Sequence, residues 1–333
     1  DGSMKIFPVA KSTELMFLNE TDWEKFAQAT GAAYDDLSTV EGLVATAGAY
    51  YDWTDAHTPE PGDGKALFGR DAMANYMIVG AKQLGCEIFE VHNGKMTLHF
   101  DHDVVRKLWD NYYVRFVKGY FAANGRCRSD DVKTGALLGC VGSCASATFF
   151  PKQVMPGDNQ VHDIEMKVLP APRFAGSEKV AVQQGAGMVV TTGTEAEING
   201  AVTFLKWFTE PQNNIAFAVE SGYLPVTTAA NDMDAIRASG LELTDTMEQV
   251  LSGAVKTVRE NELYTPTAFA GGNAVRKVLE YSMGDQVSAD RDTVLERIAA
   301  GQSAEAAMAE FLTDDYFEAW YQATLAQLQQ YEG

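Results

Sequence analysis

Apolar residues recur along the chain with a period of two in some stretches and of three to four in others, which divides it into strands and helices. Residues 5–9 and 14–18 are short extended runs, the first ended at Pro8. Thr21-Asp22-Trp23-Glu24 carries a capping-box signature, with Thr21 as N-cap and Glu24 at the third helical position, and predicts a helix running to Gly31. Ser38-Thr39-Val40-Glu41 repeats the signature ahead of an apolar stripe of Val40, Leu43, Val44 and Ala47. That stripe leads to Tyr50, Tyr51 and Trp53, aromatics suited either to core packing or to a binding platform. After a loop rich in Pro, Gly and Asp over 54–65, a helix opens near Gly69-Arg70-Asp71 and carries Met73, Met77, Ile78 and Ala81 on one face. Arg70, Asp71 and Asn75 then lie at its N-terminal end, where they can point into a cleft or form an internal ion pair. Residues 88–91 and 96–98 flank Asn93-Gly94, a hairpin signal. Residues 101–124 read as one long helix with an aromatic face, stopped by Gly125.

Residues 139–151 follow a short apolar run and break at Gly142-Ser143, which predicts strand, tight turn and helix start. Gly142 lets a bound molecule approach the backbone, and the hydroxyls of Ser143 and Ser146 supply donors beside free helix N–H groups. A serine cap at a buried strand end accounts for the same residues. Residues 164–169 form another strand closed by Pro170 and Pro172. Gln183-Gln184-Gly185-Ala186-Gly187 is a polar glycine turn feeding a buried strand at Met188-Val189-Val190, and it lacks the third glycine and following helix of a dinucleotide fingerprint. Helices follow over 194–208, from Pro211 to Ser221-Gly222, over 244–259, from Gly271-Gly272-Asn273 through Met283, and from Ser303 onward. Strands crowd the first two-thirds and helices the last, an α/β layout with helices on both sheet faces.

At 333 residues the length suggests two lobes, and 46% hydrophobic with 22% charged residues places the chain among soluble globular proteins. No run approaches ~20 apolar residues, the length needed to span a membrane. A net charge of −20 argues against a nucleic-acid partner, which requires clustered Lys and Arg. Cys86, Cys127, Cys140 and Cys144 form neither CxxC nor a zinc spacing, so free thiols are expected. His92, His99 and His102 are close in sequence, but alternation in the hairpin scatters them, so no metal site is expected. No signal peptide is recognisable, and the abrupt start at Asp1-Gly2-Ser3-Met4 reads as a cut through a larger protein. HExxH, GxSxG and GxxxxGK[ST] are all missing, and Ala145 stands where a nucleophile elbow has its second glycine. A serine hydrolase using Ser143 remains the alternative reading, and no catalytic residue, metal ligand or cofactor is assigned.

Phe204-Leu205-Lys206-Trp207-Phe208-Thr209-Glu210-Pro211, followed by 216–226 ending in Ser-Gly-Tyr-Leu-Pro-Val, resembles the helix and crossover of family 1 extracellular solute-binding proteins of ABC importers. The likeness covers nearly the whole chain. Residues 8–19 resemble that family's first crossover, 133–143 its strand into a Gly-Ser binding turn, and 182–190 its glycine-bearing return strand. The resemblance implies a class II periplasmic-binding-protein-like fold: two lobes, a mixed sheet flanked by helices, and a solute trapped as the lobes close about a hinge. It further implies that roughly the first hundred residues of a family member are missing, with most of the first lobe. Residues 12–184 and 227–333 would form the second lobe, and 1–11 with 185–226 the remnant of the first and the crossovers. That remnant would expose Phe204, Trp207 and Phe217 and invite self-association. The site residues carried over are Ser143, Gly142, Gly185, Gln184, Tyr223 and Ser12, with Arg70 and Asp71 where maltose-type members place a stacking aromatic. Gly271-Gly272 falls where another such aromatic would be, and the arginine of glycerol-phosphate binders is missing near Thr267, while Arg276 matches a structural helix residue. The implied function is capture of a sugar or polyol for ABC permease subunits in the membrane, without covalent chemistry. The implied place is outside the cell or in the periplasm, on a lipid anchor.

Overall fold

Leu15, Met16 and Leu18 are each 0% exposed and Phe17 only 2%, because the strand that carries them lies inside a sheet covered on both faces. The computed structural model describes residues 5–60, 62–155 and 161–333. Residues 1–4 of the expected first-lobe remnant lie outside that set.

The chain begins with β1 (Phe7–Ser12), β2 (Glu14–Asn19), α1 (Glu20–Thr30), α2 (Val40–Asp55), β3 (Ala66–Arg70) and α3 (Met73–Gln83). It continues with the hairpin β4 (Phe89–His92) and β5 (Lys95–Leu98), then α4 (His102–Val117), α5 (Arg128–Lys133) and β6 (Leu137–Ser143). Next come β7 (Gln153–Val154), β8 (His162–Asp163), β9 (Met166–Pro170), β10 (Val180–Val182) and β11 (Gln184–Met188). The last part holds α6 (Glu195–Phe208), α7 (Pro211–Ser221), α8 (Met233–Ala238), α9 (Asp245–Glu260), β12 (Glu262–Tyr264), α10 (Gly272–Ala299), α11 (Ala304–Met308) and α12 (Asp314–Gln329).

The central sheet has strand order β3-β6-β2-β9. β3 runs parallel to β6, with Gly69 opposite Cys140, while β2 runs antiparallel to both its neighbours, with Met16 between Val141 and Leu169. Alternation along β2 sends Met16 and Leu18 into a core shared with α1 to α4, α10 and α12, and Leu15 and Phe17 into a second core under α9. α9 meets that second core with Met247, Val250, Leu251, Ala254 and Val255, the spacing of one helical face. Each large aliphatic side chain buried this way contributes about 1.5–3 kcal/mol. The mixed α/β sheet with helices on both faces is the architecture expected from the sequence.

Several boundaries differ for local reasons. Asn19, not Thr21, caps α1 by accepting from the Asp22 N–H at 3.0 Å, while the Thr21 hydroxyl accepts from Glu165 N at 3.0 Å. Thr39 rather than Ser38 caps α2. The helix expected near Arg70 begins at Met73, leaving Arg70 as the last residue of β3. α4 stops at Val117 because the chain turns at Gly119, whose φ of +83° is left-handed, and Phe121 then bridges to Phe68. α10 continues past Met283 for 28 residues in all. The Met188-Val189 segment, expected to be buried, is exposed, since β11 pairs only with β1.

Candidate functional site

Three passages of chain run side by side where β1 ends. Lys11 stands opposite Gly185 and Ser12 opposite Gln184 in the antiparallel β1–β11 pair. On its other side Lys11 donates to the Leu224 carbonyl at 2.9 Å and accepts from the Leu224 N–H at 2.6 Å. Gly185 has φ +143°, and a Cβ there would lie 2.3 Å from the Ala10 carbonyl oxygen, so the close approach of the two strands requires glycine.

Against this crossing lies a cavity of about 700 Å³. Gln183, Gln184 and Gly185 form one wall, and the segment from Tyr264 to the first turn of α10 forms another, with Asn75 and Arg276 between them. The Gln184 Oε1 is buried without a hydrogen-bond partner, an acceptor that a hydroxyl can satisfy. Phe269 lines the cavity and packs against Phe89 at a centroid distance of 5.9 Å. Tyr264 is fixed from behind: Lys82 lies 5.0 Å from its ring centroid and its hydroxyl donates to Glu87 at 3.2 Å. Burial, with the Glu87 charge beside it, pushes that hydroxyl far above the usual tyrosine range and keeps it neutral.

Asn75 is 1% exposed and joins the cavity to the sheet behind it. Its Nδ2 donates to Glu14 Oε1 at 2.7 Å, and its Oδ1 accepts from Arg276 at 2.6 Å. The other Glu14 oxygen pairs with Arg70 at 2.8 Å. A smaller cavity of about 270 Å³ behind Asn75 is lined by Thr13, Glu14 and Arg70, among others. Thr13 Oγ1 and Arg70 Nε are buried there without a partner. Arg70 makes the internal ion pair and also lines this smaller cavity, so both readings open in the sequence describe it.

The parallel strands β3 and β6 bring Arg70-Asp71 and Gly142-Ser143 to the same sheet edge, where α/β folds commonly bind ligands. Asp71 accepts there from the Arg128 N–H at 3.0 Å. A Cβ on Gly142 would stand 2.8 Å from Ser146 Oγ and 2.9 Å from Asp71 Oδ2. Ser143 behaves as a cap: its Oγ accepts from the Ala145 N–H at 3.3 Å and its carbonyl from Ser146 Oγ at 2.6 Å. The predicted residues therefore separate. Gln184 and Gly185 reach the 700 Å³ cavity, whereas Gly142, Ser143, Asp71, Ser12 and Tyr223 do not line it. Ser12 is buried in the crossing, and Tyr223 stacks on Phe217 at 5.9 Å. Sequence reasoning missed Phe269, whose only signal was its place just before the Gly271-Gly272 helix opening.

The hydrolase alternative finds no support in this geometry. Every histidine of the chain is engaged elsewhere: His57 with Trp53, His92 and His99 with Glu90, His102 with Glu318, and His162 with Asp22. Cys140 and Cys144 are free and buried, and burial raises both thiols, Cys144 to about 11, which leaves them unreactive. Among the described residues no cluster of His, Cys, Asp and Glu could hold a metal ion, and no helix is long and apolar enough to cross a membrane.

Residues 1–241 match the family of bacterial extracellular solute-binding proteins. The chain belongs to that family. No curated protein matches this solute-binding protein. It resembles the cyclic alpha-maltosyl-1,6-maltose binding protein from Arthrobacter globiformis with a TM-score of 0.64 at 17% identity, over 99% of this chain and 73% of that one. The GacH receptor of Streptomyces glaucescens, solved unliganded and with acarbose, superimposes over 100% of this chain and 73% of its own, with a TM-score of 0.65 and 13% identity. UgpB from Mycobacterium tuberculosis, in complex with glycerophosphocholine, gives a TM-score of 0.61 at 18% identity, over 90% of this chain and 73% of that one. At these identities the likeness establishes the fold, that of the periplasmic sugar-binding proteins. The family of this solute-binding protein is one of extracellular binding proteins, not of enzymes.

Proposed function

We propose that this chain captures a small polar solute, a carbohydrate or polyol, in the 700 Å³ cavity beside the strand crossing and presents it to an ABC permease. The observation that carries the reading is the cavity itself, walled by Gln184 and Gly185 of the crossing strand and by the first turn of α10. A buried, unpartnered acceptor at Gln184 suits a hydroxylated ligand, and the Phe269 ring offers an apolar surface to a sugar face. The similar solved proteins bind ligands of this kind: a cyclic maltosyl-maltose, acarbose, ribitol and cycloalternan.

Binding proceeds by closure of two bodies about the passages at Lys11, Gln184-Gly185 and Leu224, with no covalent step. In this reading residues 12–184 and 227–333 form one lobe, and 1–11 with 185–226 belong to the other. The packing of α6 and α7 on β1 supports that division. Ser12 and Tyr223 serve the crossing, Arg70 acts on the cavity through Glu14 and Asn75, and Gly142, Ser143 and Asp71 belong to the neighbouring sheet edge. Phe204 and Trp207, 49% and 52% exposed on α6, provide a face for self-association. Membrane tethering through a lipid completes the reading and rests on the sequence resemblance alone.

The test is a thermal-shift screen of neutral and acidic sugars and polyols. A solute that binds only the native state stabilises it by about 2.7 kcal/mol at a hundred times its Kd. A flat response across the panel contradicts the proposal.

A further inference from the structure

Among the described residues, Arg276 is the only charged one lining the cavity, in a chain whose net charge is −20. It is half-buried, it donates to the neutral Asn75 Oδ1 at 2.6 Å, and among the described residues it makes no ion pair. Glu14 and Glu280, the carboxylates nearby on β2 and α10, direct their hydrogen bonds to other groups. Glu14 gives one oxygen to Asn75 at 2.7 Å and the other to Arg70 at 2.8 Å. Glu280, one turn further along α10, accepts from the first N–H groups of α3, Met73 at 3.3 Å and Ala74 at 2.9 Å. The connected set Arg276-Asn75-Glu14-Arg70 therefore holds two guanidinium groups and one carboxylate. Within that set the carboxylate is held by Arg70, and Arg276 lines the cavity with no carboxylate in direct contact among the described residues.

A guanidinium does not shed its proton to escape this situation, so the charge must be met by solvent or by a ligand. The position also runs against the usual preference, since cations are disfavoured near a helix N-terminus. Arg276 lies just beyond the first turn of α10, and the Gly271, Gly272 and Asn273 backbone of that turn lines the same cavity. Guanidinium and helix end thus add their fields in one place, and an anion there satisfies both.

We propose that the solute carries an oxyanion, carboxylate or phosphate, on a hydroxylated body, and that Arg276 receives it. The proposal rests on the solute-binding reading of this cavity and specifies the class of solute. Gln184 Oε1, needing a donor, takes a hydroxyl of the same molecule, so the site reads a polyol at one wall and an acid at the other. Neutral sugars fill the volume but leave the Arg276 charge unmatched.

The experiment is isothermal titration of the chain with glucuronate, inositol monophosphate, glucose and inositol, repeated with Arg276→Gln and Arg276→Lys. The expected result is that at least one acidic probe binds roughly tenfold or more tighter than its neutral parent. Arg276→Gln removes that preference with little change for the neutral probes, and Arg276→Lys restores part of it. Which acid binds better separates carboxylate from phosphate. Should Arg276→Gln fail to fold, as judged by its unliganded melting curve, the salt dependence of the wild-type chain decides, since acid binding must weaken with added salt and neutral binding must not. Binding of neutral probes as tight as acids, or an acid preference that survives Arg276→Gln, overturns this inference alone. Silence from all four probes overturns the solute-binding reading with it.

Discussion

Arg70 and Glu14 form an ion pair at 2.8 Å in which each side chain is only 9% exposed. Removing one partner of such a pair strands a buried charge and costs about 3–5 kcal/mol, whereas replacing both costs much less. Arg70→Met should lower the urea midpoint sharply, and adding Glu14→Gln should recover a large part of the loss. Equal stability of Arg70→Met and wild type would show that the pair does not organise this end of the sheet.

Gly185 is held at φ +143° with the Ala10 carbonyl where a side chain would begin. Gly185→Ala should destabilise the chain by more than about 1 kcal/mol. Gly200, an exposed glycine inside α6 with nothing within 4 Å of its Cβ position, is the control. Gly200→Ala should stabilise by roughly 0.5–1 kcal/mol. Thermal melts of the two variants should move in opposite directions.

Phe204 and Trp207 lie side by side on the exposed face of α6, with ring centroids 5.8 Å apart and the rings tilted by 36°. The chain should bind a hydrophobic dye or run as a dimer on size exclusion, and Phe204→Ser with Trp207→Ser should reduce either signal. A monomer that binds no dye before mutation contradicts the self-association reading.

Asp22 sets a pH dependence. Burial acts to raise its carboxyl, but hydrogen bonds from Lys25, His162 and Asn19 outweigh that and hold it below the usual carboxylate range. A carboxylate depressed by folding adds stability above its unfolded pKa of about 3.9, and that stability is lost as pH falls through the folded value. Asp22→Asn should therefore destabilise at about pH 7 and cost progressively less toward about pH 2, as followed by urea denaturation. A penalty independent of pH would show that the side chain acts by packing alone.

Much of the fold was legible because local signals and burial agree. The short continuous apolar run of β2, the Asn93-Gly94 turn and the stripe of α9 each form the element their pattern suggests. Boundaries failed where a neighbour in space decided. Asn19 took the cap from Thr21 because Glu165 claims the Thr21 hydroxyl, and β3 kept Arg70 because its guanidinium finds Glu14 across the sheet. The candidate cavity was legible in part. Gln184 and Gly185 stood out as a polar glycine turn, but the cavity they wall is closed by Phe269, Asn75 and Arg276, distant in sequence. Ser143 drew attention as a serine after a glycine at a strand end, and such residues cap turns as readily as they bind ligands. Arg276 matches a structural helix residue of the resembling family; that it lines the cavity without a carboxylate in direct contact is visible only in three dimensions.

Hydrogen exchange with and without the best-binding sugar or polyol shows which segments a solute covers. Slowed exchange at residues 183–188 and 264–274, the two walls of the cavity, is the predicted result. Protection confined to 142–146 would move the site to the Ser143 turn and exclude binding in the cavity beside the strand crossing.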